Sequence, residues 1–261
     1  MTTTVVDDYV EFCTLVRGLT GVDLLQYKRP QMERRLRSFY ANRGVDKLTD
    51  ALPILRADPM QVEQLLDRIT INVSQLWRNP EQWQLLQSDV LPQLAERGQL
   101  RAWSAGCSYG AEAYTLAAIC QITIPNVHTR IQGTDIDKRM VQRARLGQFS
   151  DDDARSAPAD QLRHGFERID GGWQAKPQLR SMTSFDSGDL LRIKPTANAY
   201  DLVLCRNTVI YFAEPIRDEL HARLATSLRS GGYLVIGSTE RVADPAGLGL
   251  TMQHPFIYRK S

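Results

Sequence analysis

This chain has few cysteines, no long apolar run and almost no net charge, and each scarcity excludes a class of protein. Its four cysteines among 261 residues lie far apart without a C-x-x-C pair, so we expect reduced thiols and no bound metal. No apolar run is long enough to cross a bilayer, and nothing resembles a signal peptide. We therefore expect a cytoplasmic protein that does not insert into the membrane directly.

The charge is balanced overall but uneven along the chain. A net charge of +2 argues against a molecule that binds polyanions with its whole surface. Residues 28–37, however, contain five basic side chains and one acidic side chain, Glu33. With 43% hydrophobic residues, the chain is able to bury a sizeable core, in one large domain or in a large and a small one.

The amino-terminal part, to about residue 71, has the apolar spacing of helices. Met32, Leu36, Phe39 and Tyr40, for example, recur at i, i+4, i+7 and i+8. Neither strand alternation nor a hairpin turn interrupts this pattern. We therefore predict that this part of the chain is all α-helical.

From residue 100 the pattern changes to short apolar strands separated by helical stretches. We predict a helical domain over residues 1–75 and an α/β domain with a parallel sheet and crossover helices over 76–261. Gly171 and Gly172 separate two short strand-like stretches, which predicts a small antiparallel β insertion over residues 150–185. The last two strands are expected to form an antiparallel closing pair. The predicted sheet strands are residues 100–104, 129–134, 200–205, 233–237 and 252–258.

A turn of small residues follows the first predicted strand and precedes a helical pattern. Residues 103–110 read W-S-A-G-C-S-Y-G. Small residues allow the backbone to approach a ligand, and the unpaired N–H groups of the next helix would face it. The spacing is not the dinucleotide pattern G-x-G-x-x-G. The turn therefore predicts a nucleotide-like ligand without naming it.

Polar side chains follow the next strands, at the edge where ligands bind in an open parallel sheet. Asp135 would accept hydrogen bonds from ribose hydroxyls and Asp137 would cap the next helix, or both would be only cap and turn residues. Asp189 would reach an adenine amino group, or would be a turn residue. Residues 201–212 form a buried run that ends in polar and aromatic groups. Without a P-loop lysine or a hydride-enzyme fingerprint, these strand ends suggest an adenosyl ligand such as S-adenosylmethionine.

At these residues the chain resembles the chemotaxis receptor glutamate methyltransferases, the CheR-type family. Five segments match the family in order, and the match covers nearly the whole chain. They are N-V-S-Q-L-W-R at 72–78, W-S-A-G-C-S-Y-G at 103–110, T-D-I-D at 134–137, C-R-N-T-V-I-Y-F at 205–212 and G-G-Y-L-V-I-G-S-T-E at 231–240. The resemblance implies a helical amino-terminal domain, a Rossmann-like α/β methyltransferase domain and an inserted antiparallel β subdomain.

The resemblance also implies a reaction, in which a methyl group passes from S-adenosylmethionine to glutamates of methyl-accepting chemotaxis receptor helices and leaves S-adenosylhomocysteine. Arg78 and Tyr211 are the implied catalytic residues. The implied receptor-docking residues are Arg34, Arg35 and Arg37, and we expect a monomer. The implied cofactor-binding residues are Asn72, Ser74, Arg78, Ala105, Gly106, Glu112, Asp135, Asp189, Leu190, Asn207 and Thr208.

A glutamate substrate needs no general base, because its carboxylate is already ionised near neutral pH. Catalysis would come mainly from holding the carboxylate oxygen, the methyl carbon and the sulfonium sulfur in line, with water excluded. The four histidines of the chain all fall outside the five matching segments, which agrees with that expectation.

The docking residues belong to a helix predicted at about residues 30–42 and lie off its apolar stripe. A basic face of this kind would attract an acidic receptor helix, or would simply be solvated. It lacks the interleaved exposed aromatics of a nucleic-acid module. We therefore expect a receptor partner and no nucleic acid.

One departure from the family concerns the start of the helix after the glycine turn. Many members have G-E-E-P-Y there, and the first glutamate is expected to hold the methionine amino group, whereas this chain has Ala111. Either Glu112 serves instead, or the cofactor binds more weakly by about 1.5–3 kcal/mol, the contribution of a charge-assisted hydrogen bond. Two other functions stay open: a cofactor-binding regulatory protein without activity, and a methyltransferase of nucleic acids or small molecules.

Overall fold

Contacts within the chain divide it into a helical unit and an α/β unit. The computed structural model describes residues 7–69 and 74–261. The helical unit holds the chain up to residue 71 together with the later segment Tyr211–Arg217, and the α/β unit holds the rest. No pattern in the sequence indicates that Tyr211–Arg217 joins the helical unit.

The helices of the first unit begin and end where the backbone chemistry favours it. Asp7 accepts a hydrogen bond from the backbone N–H of Tyr9 at 3.1 Å and caps the first helix, which ends at Gly21 with φ 79°. Pro30 stands in the first turn of the second helix, where its missing N–H is not needed. Among the described residues the helices are α1 (Asp8–Thr20), α2 (Arg29–Ala41), α3 (Leu52–Ala57) and α4 (Pro59–Ile69), with one-turn 3-10 helices at Leu24–Gln26 and Leu48–Ala51.

Helix α2 carries the apolar stripe that the sequence predicts. Met32, Leu36 and Tyr40 are buried. Phe39 is half-buried, and its ring lies edge-on to Tyr40 with 5.0 Å between the centroids. The buried face of α2 therefore follows i, i+4 and i+8, and Phe39 lies at its margin.

The segment Tyr211–Arg217 is attached to the helical unit by backbone hydrogen bonds. The N–H of Lys28 donates to the carbonyl of Tyr211 at 2.9 Å, and the N–H of Ala213 donates to the carbonyl of Gln26 at 3.0 Å. The rings of Tyr27 and Phe212 contact each other, with centroids 5.0 Å apart. These contacts position Tyr211, one of the implied catalytic residues.

The α/β unit contains a large mixed sheet and a small antiparallel one. Its strands are β1 (Gln99–Ala105), β2 (His128–Asp135), β3 (Gln148–Ser150), β4 (Phe166–Ile169), β5 (Gly172–Ala175), β6 (Thr183–Ser187), β7 (Tyr200–Cys205), β8 (Leu228–Ile236), β9 (Leu250–His254) and β10 (Ile257–Lys260). The large sheet has the order β6-β2-β1-β7-β8-β10-β9, and its first five strands are parallel. The predicted parallel sheet is thus confirmed.

The antiparallel end of this sheet differs from the prediction in one respect. Residues 252–258 are not one strand but two, because the chain reverses at Phe256, where φ is 66°. Strand β10 pairs antiparallel with both β8 and β9. The strand that pairs antiparallel with β8 is therefore β10, which begins in the second half of the predicted segment 252–258.

The small sheet confirms the predicted β insertion but not its limits. Strands β4 and β5 form the hairpin that Gly171 and Gly172 indicate, and β3 adds an antiparallel strand to give the order β3-β5-β4. A Cβ at Gly172 would collide with the carbonyl oxygen of Phe149, so this strand pair requires glycine. The small sheet begins with β3 at Gln148, and β6 at Thr183–Ser187 pairs with β2 in the large sheet.

Helices connect the strands of the large sheet and cover its faces. The helix after β1 is closely packed. Of its first seven residues, beginning at Ala111, all but one are buried. A π-helical turn at Leu86–Val90 joins the first two helices of the unit. The helices are α5 (Pro80–Leu85), α6 (Leu91–Ala95), α7 (Ala111–Thr123), α8 (Lys138–Leu146), α9 (Ala159–Gly165), α10 (Pro177–Met182) and α11 (Glu214–Ser227).

Close packing near the carboxyl end of β2 leads to a stability prediction. A Cβ at Gly133 would lie 2.5 Å from the Phe185 ring and 3.0 Å from the sulfur of Cys107. We expect Gly133→Ala to lower the free energy of unfolding by about 1–3 kcal/mol, the cost of overpacking a core. Urea denaturation followed by tryptophan fluorescence measures this. In a Phe185→Leu background the same substitution should cost less, and an equal loss in both backgrounds would contradict the packing explanation.

Candidate functional site

Polar residues collect where the parallel strands of the large sheet end. Strand β1 ends at Ala105, β2 at Asp135, and β7 is followed directly by Arg206 and Asn207. Strand β6, on the far side of β2, is followed by Gly188 and Asp189. Because β6, β2, β1 and β7 are neighbours and parallel, these ends lie along one edge of the sheet.

The glycine turn is held against the end of β2 by its own backbone. The N–H groups of Gly106 and Cys107 both donate to the carbonyl of Thr134, at 2.8 and 3.0 Å. Gly106 has φ 83°, and a Cβ there would collide with the side chain of Thr208. The structure thus brings together two predicted cofactor residues, Gly106 and Thr208, at a contact that allows no side chain at position 106.

Asp135 connects the glycine turn to the end of β2. Its two carboxylate oxygens accept hydrogen bonds from the backbone N–H of Ser108 at 2.7 Å and of Asp137 at 2.9 Å. Burial raises the pKa of Asp135, and these backbone N–H groups oppose that rise. A carboxylate has about four lone-pair positions, so three backbone donors, the third being the N–H of Ile136, leave about one position for a ligand hydroxyl. Asp137 caps α8, as predicted, by accepting from the N–H of Arg139 at 2.9 Å.

The residues after β6 form a turn beside Asp135. The N–H of Gly188 donates to the carbonyl of Asp135 at 2.8 Å. Asp189 accepts from the N–H of Leu191 at 2.9 Å and lies 3.4 Å from the guanidinium of Arg192. Asp189 is therefore a turn residue, which is one of the two roles that the sequence allowed. It also follows the strand next to β2, close to Asp135, as the other role, an adenine contact, would require.

Asn207 begins a tight turn after β7, with φ 58°. The buried carboxylate of Glu240 stabilises this turn, since it accepts from the N–H of Val209 at 3.1 Å and of Gly237 at 2.5 Å. Burial raises the pKa of Glu240, and hydrogen bonds from backbone N–H groups, including that of Asn207, oppose the rise. Glu240 is a positioning residue that the sequence reasoning did not single out.

A buried ion pair lies beneath the site and joins β7 to α7. Arg206 and Glu112 are 3.4 Å apart, with side chains only 3% and 11% exposed. Glu112 also accepts a hydrogen bond from the hydroxyl of Ser104 at 2.7 Å. Burial raises the pKa of Glu112 and lowers that of Arg206, and the attraction between the two opposes both shifts.

Arg206 also fixes the chain segment that carries Arg78. Its guanidinium donates to the carbonyl of Arg78 at 2.6 Å and to the side-chain oxygen of Gln82 at 2.9 Å, and it lies 4.8 Å from the centre of the Trp83 ring. The backbone of Arg78 is thereby held within hydrogen-bond distance of the guanidinium that pairs with Glu112. The structure thus brings Arg78 and Glu112 together.

Arg206 was missed in the sequence, although a signal was present. It is the first charged residue after the apolar run of β7, and a charged group at the end of a buried strand requires partners. Those partners come from positions 78–83 and 112, which no short-range pattern connects to position 206.

Ser74 is positioned by the tyrosine of the glycine turn. The hydroxyl of Tyr109 donates to the carbonyl of Ser74 and also contacts Asp153 at 2.8 Å. The guanidinium of Arg143 lies 4.0 Å from the centre of the Tyr109 ring and pairs with Asp153 at 2.7 Å. Asn72, a further implied cofactor residue, lies outside the described residues.

The remaining implied residues belong to the helical unit. Tyr211 lies in a 3-10 turn, and the guanidinium of Arg35 is 5.7 Å from the centre of its ring. Arg34 is exposed. Arg37 pairs with Glu33 at 2.7 Å and with Asp8 at 3.2 Å. The three docking arginines therefore differ, because Arg35 is half-buried and Arg37 is already paired.

The described residues lack the features of two other kinds of site. They contain no cluster of three or more His, Cys, Asp and Glu side chains that would hold a metal ion. No described helix has the length and apolar character that crossing a membrane requires. All four cysteines are free and buried, and burial raises the pKa of Cys107 well above its usual value.

Comparisons with known proteins agree with the resemblance. The family model described as "CheR methyltransferase, SAM binding domain" matches residues 72–253, and "CheR methyltransferase, all-alpha domain" matches residues 7–70. The chain is 34% identical to a chemotaxis protein methyltransferase of Listeria innocua, over 97% of each chain. It is 29% identical to chemotaxis protein methyltransferase 1 of Pseudomonas aeruginosa, over 89% of each chain.

The buried ion pair leads to a prediction about stability. Replacing Arg206 with methionine leaves the carboxylate of Glu112 buried without its cation, which costs about 3–5 kcal/mol. We expect the free energy of unfolding of Arg206→Met to fall by about that amount near neutral pH. The control is the double variant Arg206→Met/Glu112→Gln, which has lost both charges and should recover part of the loss. Equal instability of the two variants would contradict the explanation.

The same variant should show a specific pH dependence. The pKa of Glu112 is already raised above 4.5, and it rises further when Arg206 is removed. A carboxyl group with a raised folded-state pKa binds its proton more tightly in the folded protein, so it stabilises the fold at low pH and loses this effect as the pH rises through that pKa. The deficit of Arg206→Met should therefore shrink as the pH falls from neutral toward the raised pKa. Denaturation curves across this range measure it, and a deficit independent of pH would argue against an ionised Glu112.

Proposed function

Because the chain belongs to the CheR methyltransferase family, we propose that it transfers the methyl group of S-adenosylmethionine to glutamate side chains of chemoreceptor helices. The family match establishes a methyltransferase with S-adenosylmethionine as its cofactor. The observation that carries the finer proposal is that Arg206, which pairs with the buried Glu112, also holds the carbonyl of Arg78 at 2.6 Å and so fixes Arg78 beside this pair. The site residues named above include none of the four histidines of the chain, which agrees with a reaction that needs no general base.

The residues at the sheet edge fit the cofactor that the family implies. No side chain fits between the backbone of Gly106 and Thr208, so the turn stays narrow, and beside it Asp135 presents a buried carboxylate that has an acceptor position left. We propose that Asp135 holds the ribose hydroxyls and that Asp189 and Leu190 lie against the adenine. Ser74, Ala105, Asn207 and Thr208 complete the proposed cofactor site, together with Asn72.

When bound, S-adenosylmethionine supplies a methyl group on a positively charged sulfur. An ionised glutamate oxygen forms the new C–O bond as the C–S bond breaks, and the electron pair remains on sulfur, so no proton is transferred. Arg78 would attract the incoming carboxylate and Tyr211 would line its approach. The rest of the site would act by alignment and by excluding water.

The receptor would dock on the exposed basic residues of α2. Arg34 is exposed there, whereas Arg37 is held by Glu33 and Asp8. Positive charge on a surface helix accelerates encounter with an acidic partner. We therefore propose Arg34 as the main electrostatic contact for the receptor.

A direct assay tests the proposed reaction. The purified protein is incubated with methyl-labelled S-adenosylmethionine and the signalling domain of its cognate receptor, and base-labile label on the receptor is measured. Glutamate methylation is supported if the receptor carries base-labile label and a receptor whose glutamates are replaced by alanine does not. Two results would overturn the proposal. Binding of S-adenosylhomocysteine without any methyl transfer would favour a regulatory protein, and base-stable label on RNA or small molecules would favour another substrate.

The proposed role of Asp135 predicts a change in cofactor affinity. Asp135→Asn removes the negative charge of the side chain. It also replaces one carboxylate oxygen by an NH2 group, which would face a backbone N–H donor instead of accepting from it. We expect calorimetry to show S-adenosylhomocysteine binding weaker by about 10- to 150-fold, which corresponds to about 1.5–3 kcal/mol. Asp186→Asn, on the exposed side of β6, is the matched control and should leave the affinity unchanged. Equal affinity of the two variants would remove Asp135 from the cofactor site.

The docking proposal predicts a change in the KM for receptor. Arg34→Glu reverses an exposed charge and should raise this KM roughly tenfold at low salt while kcat stays constant, because only encounter and docking are weakened. The control is Arg56→Glu, an exposed residue on α3, which should behave as wild type. If both reversals act equally, the effect comes from net charge and not from a docking face on α2.

A further inference from the structure

A basic cavity lies at the amino ends of the strands, on the opposite edge of the large sheet from the candidate site. It has a volume of about 310 Å³ and is lined by side chains at the start of β1 and β2, before β7 and at the start of β8. Strand β1 spans seven residues, and at about 3.3 Å per residue the two edges are roughly 20 Å apart. The proposed methyl transfer therefore does not explain this cavity.

The charged side chains that line the cavity are all basic. Arg101, Arg130 and Arg229 line it together with His128, and no acidic side chain does. A single buried carboxylate, that of Asp201, lies behind it and contacts the guanidinium of Arg229. One negative charge thus faces three guanidinium groups.

The cations also repel one another. The pKa of Arg229 is lowered first by burial and then by the charges of Arg97 and Arg101. Crowding of like charge is unfavourable unless an anion compensates it. Three guanidinium groups thus share one carboxylate, and a bound anion would reduce the repulsion between them.

The donors of the cavity remain available to a ligand. Within the described part of the chain, the guanidinium of Arg101 forms no hydrogen bond, and that of Arg130 donates from Nε to the ring of His128 at 3.1 Å. Arginine presents paired N–H groups that match the oxygens of phosphate. The volume lies at the lower end of the range of about 300–1,000 Å³ for small-molecule sites.

We propose that this cavity binds the phosphate groups of a small phosphorylated molecule, at a site separate from that of S-adenosylmethionine. The phosphate oxygens would be held by Arg101 and Arg130, with Arg229 at the base of the cavity. The proposal does not depend on which substrate the enzyme methylates.

Titration calorimetry with inorganic pyrophosphate tests the proposal on the full-length protein. We expect one binding site whose affinity falls as salt is raised and does not change when S-adenosylhomocysteine is present at saturation. Loss of pyrophosphate binding in the presence of S-adenosylhomocysteine would place the anion in the cofactor site and overturn the proposal. Absence of measurable binding at low salt would also overturn it.

Matched variants separate a built site from general charge attraction. The double variant Arg101→Gln/Arg130→Gln should weaken pyrophosphate binding at least roughly tenfold, as loss of charge-assisted hydrogen bonds predicts. The control Arg155→Gln/Arg163→Gln removes the same charge from two exposed arginines elsewhere and should bind as wild type. Asn198→Asp, which adds a negative charge at the exposed rim, should also weaken binding. Equal loss in the two double variants would show non-specific attraction.

Discussion

The ion pair of Arg206 and Glu112 holds together the elements from which the candidate site is built. Arg206 follows β7, Glu112 belongs to α7, and the carbonyl of Arg78 accepts from the same guanidinium. A buried cation is stable only when its donors are satisfied. The positions of these three chain segments are therefore coupled, and the turn with positive φ at Trp77 and Asn79 is maintained by contacts outside it.

The glycine turn is organised by the protein itself. Thr134 and Asp135 accept its backbone N–H groups from the end of β2, and Thr208 closes the space next to Gly106. A loop that is already ordered loses little conformational freedom when a ligand binds. The fold thus supplies fixed geometry at the sheet edge, which the proposed in-line methyl transfer would require because it would depend on alignment more than on acid–base groups.

Much of this arrangement was predictable because local patterns determine it. The parallel strands, the Asp137 cap and the hairpin at Gly171 each depend on a few neighbouring residues. Contacts between distant parts of the chain were missed, because local patterns do not determine them. The partners of Arg206 lie about 95 to 130 positions away in the chain. The segment Tyr211–Arg217 likewise joins helices near the amino terminus. The reversal at Phe256 was also missed, although Pro255 gives a turn signal inside the predicted strand.

The structure bears on how the chain accommodates Ala111. This residue is completely buried at the start of α7, so a longer acidic side chain there would require rearrangement of its neighbours. Glu112 is oriented differently, toward Ser104 and Arg206. A carboxylate offers about four lone-pair positions, and these two partners occupy two of them. Arg206 opposes the rise in the pKa of Glu112 that burial causes, which favours the charged form. Glu112 therefore keeps acceptor positions beyond those that Ser104 and Arg206 occupy, which supports the proposal that it serves in place of a glutamate at position 111.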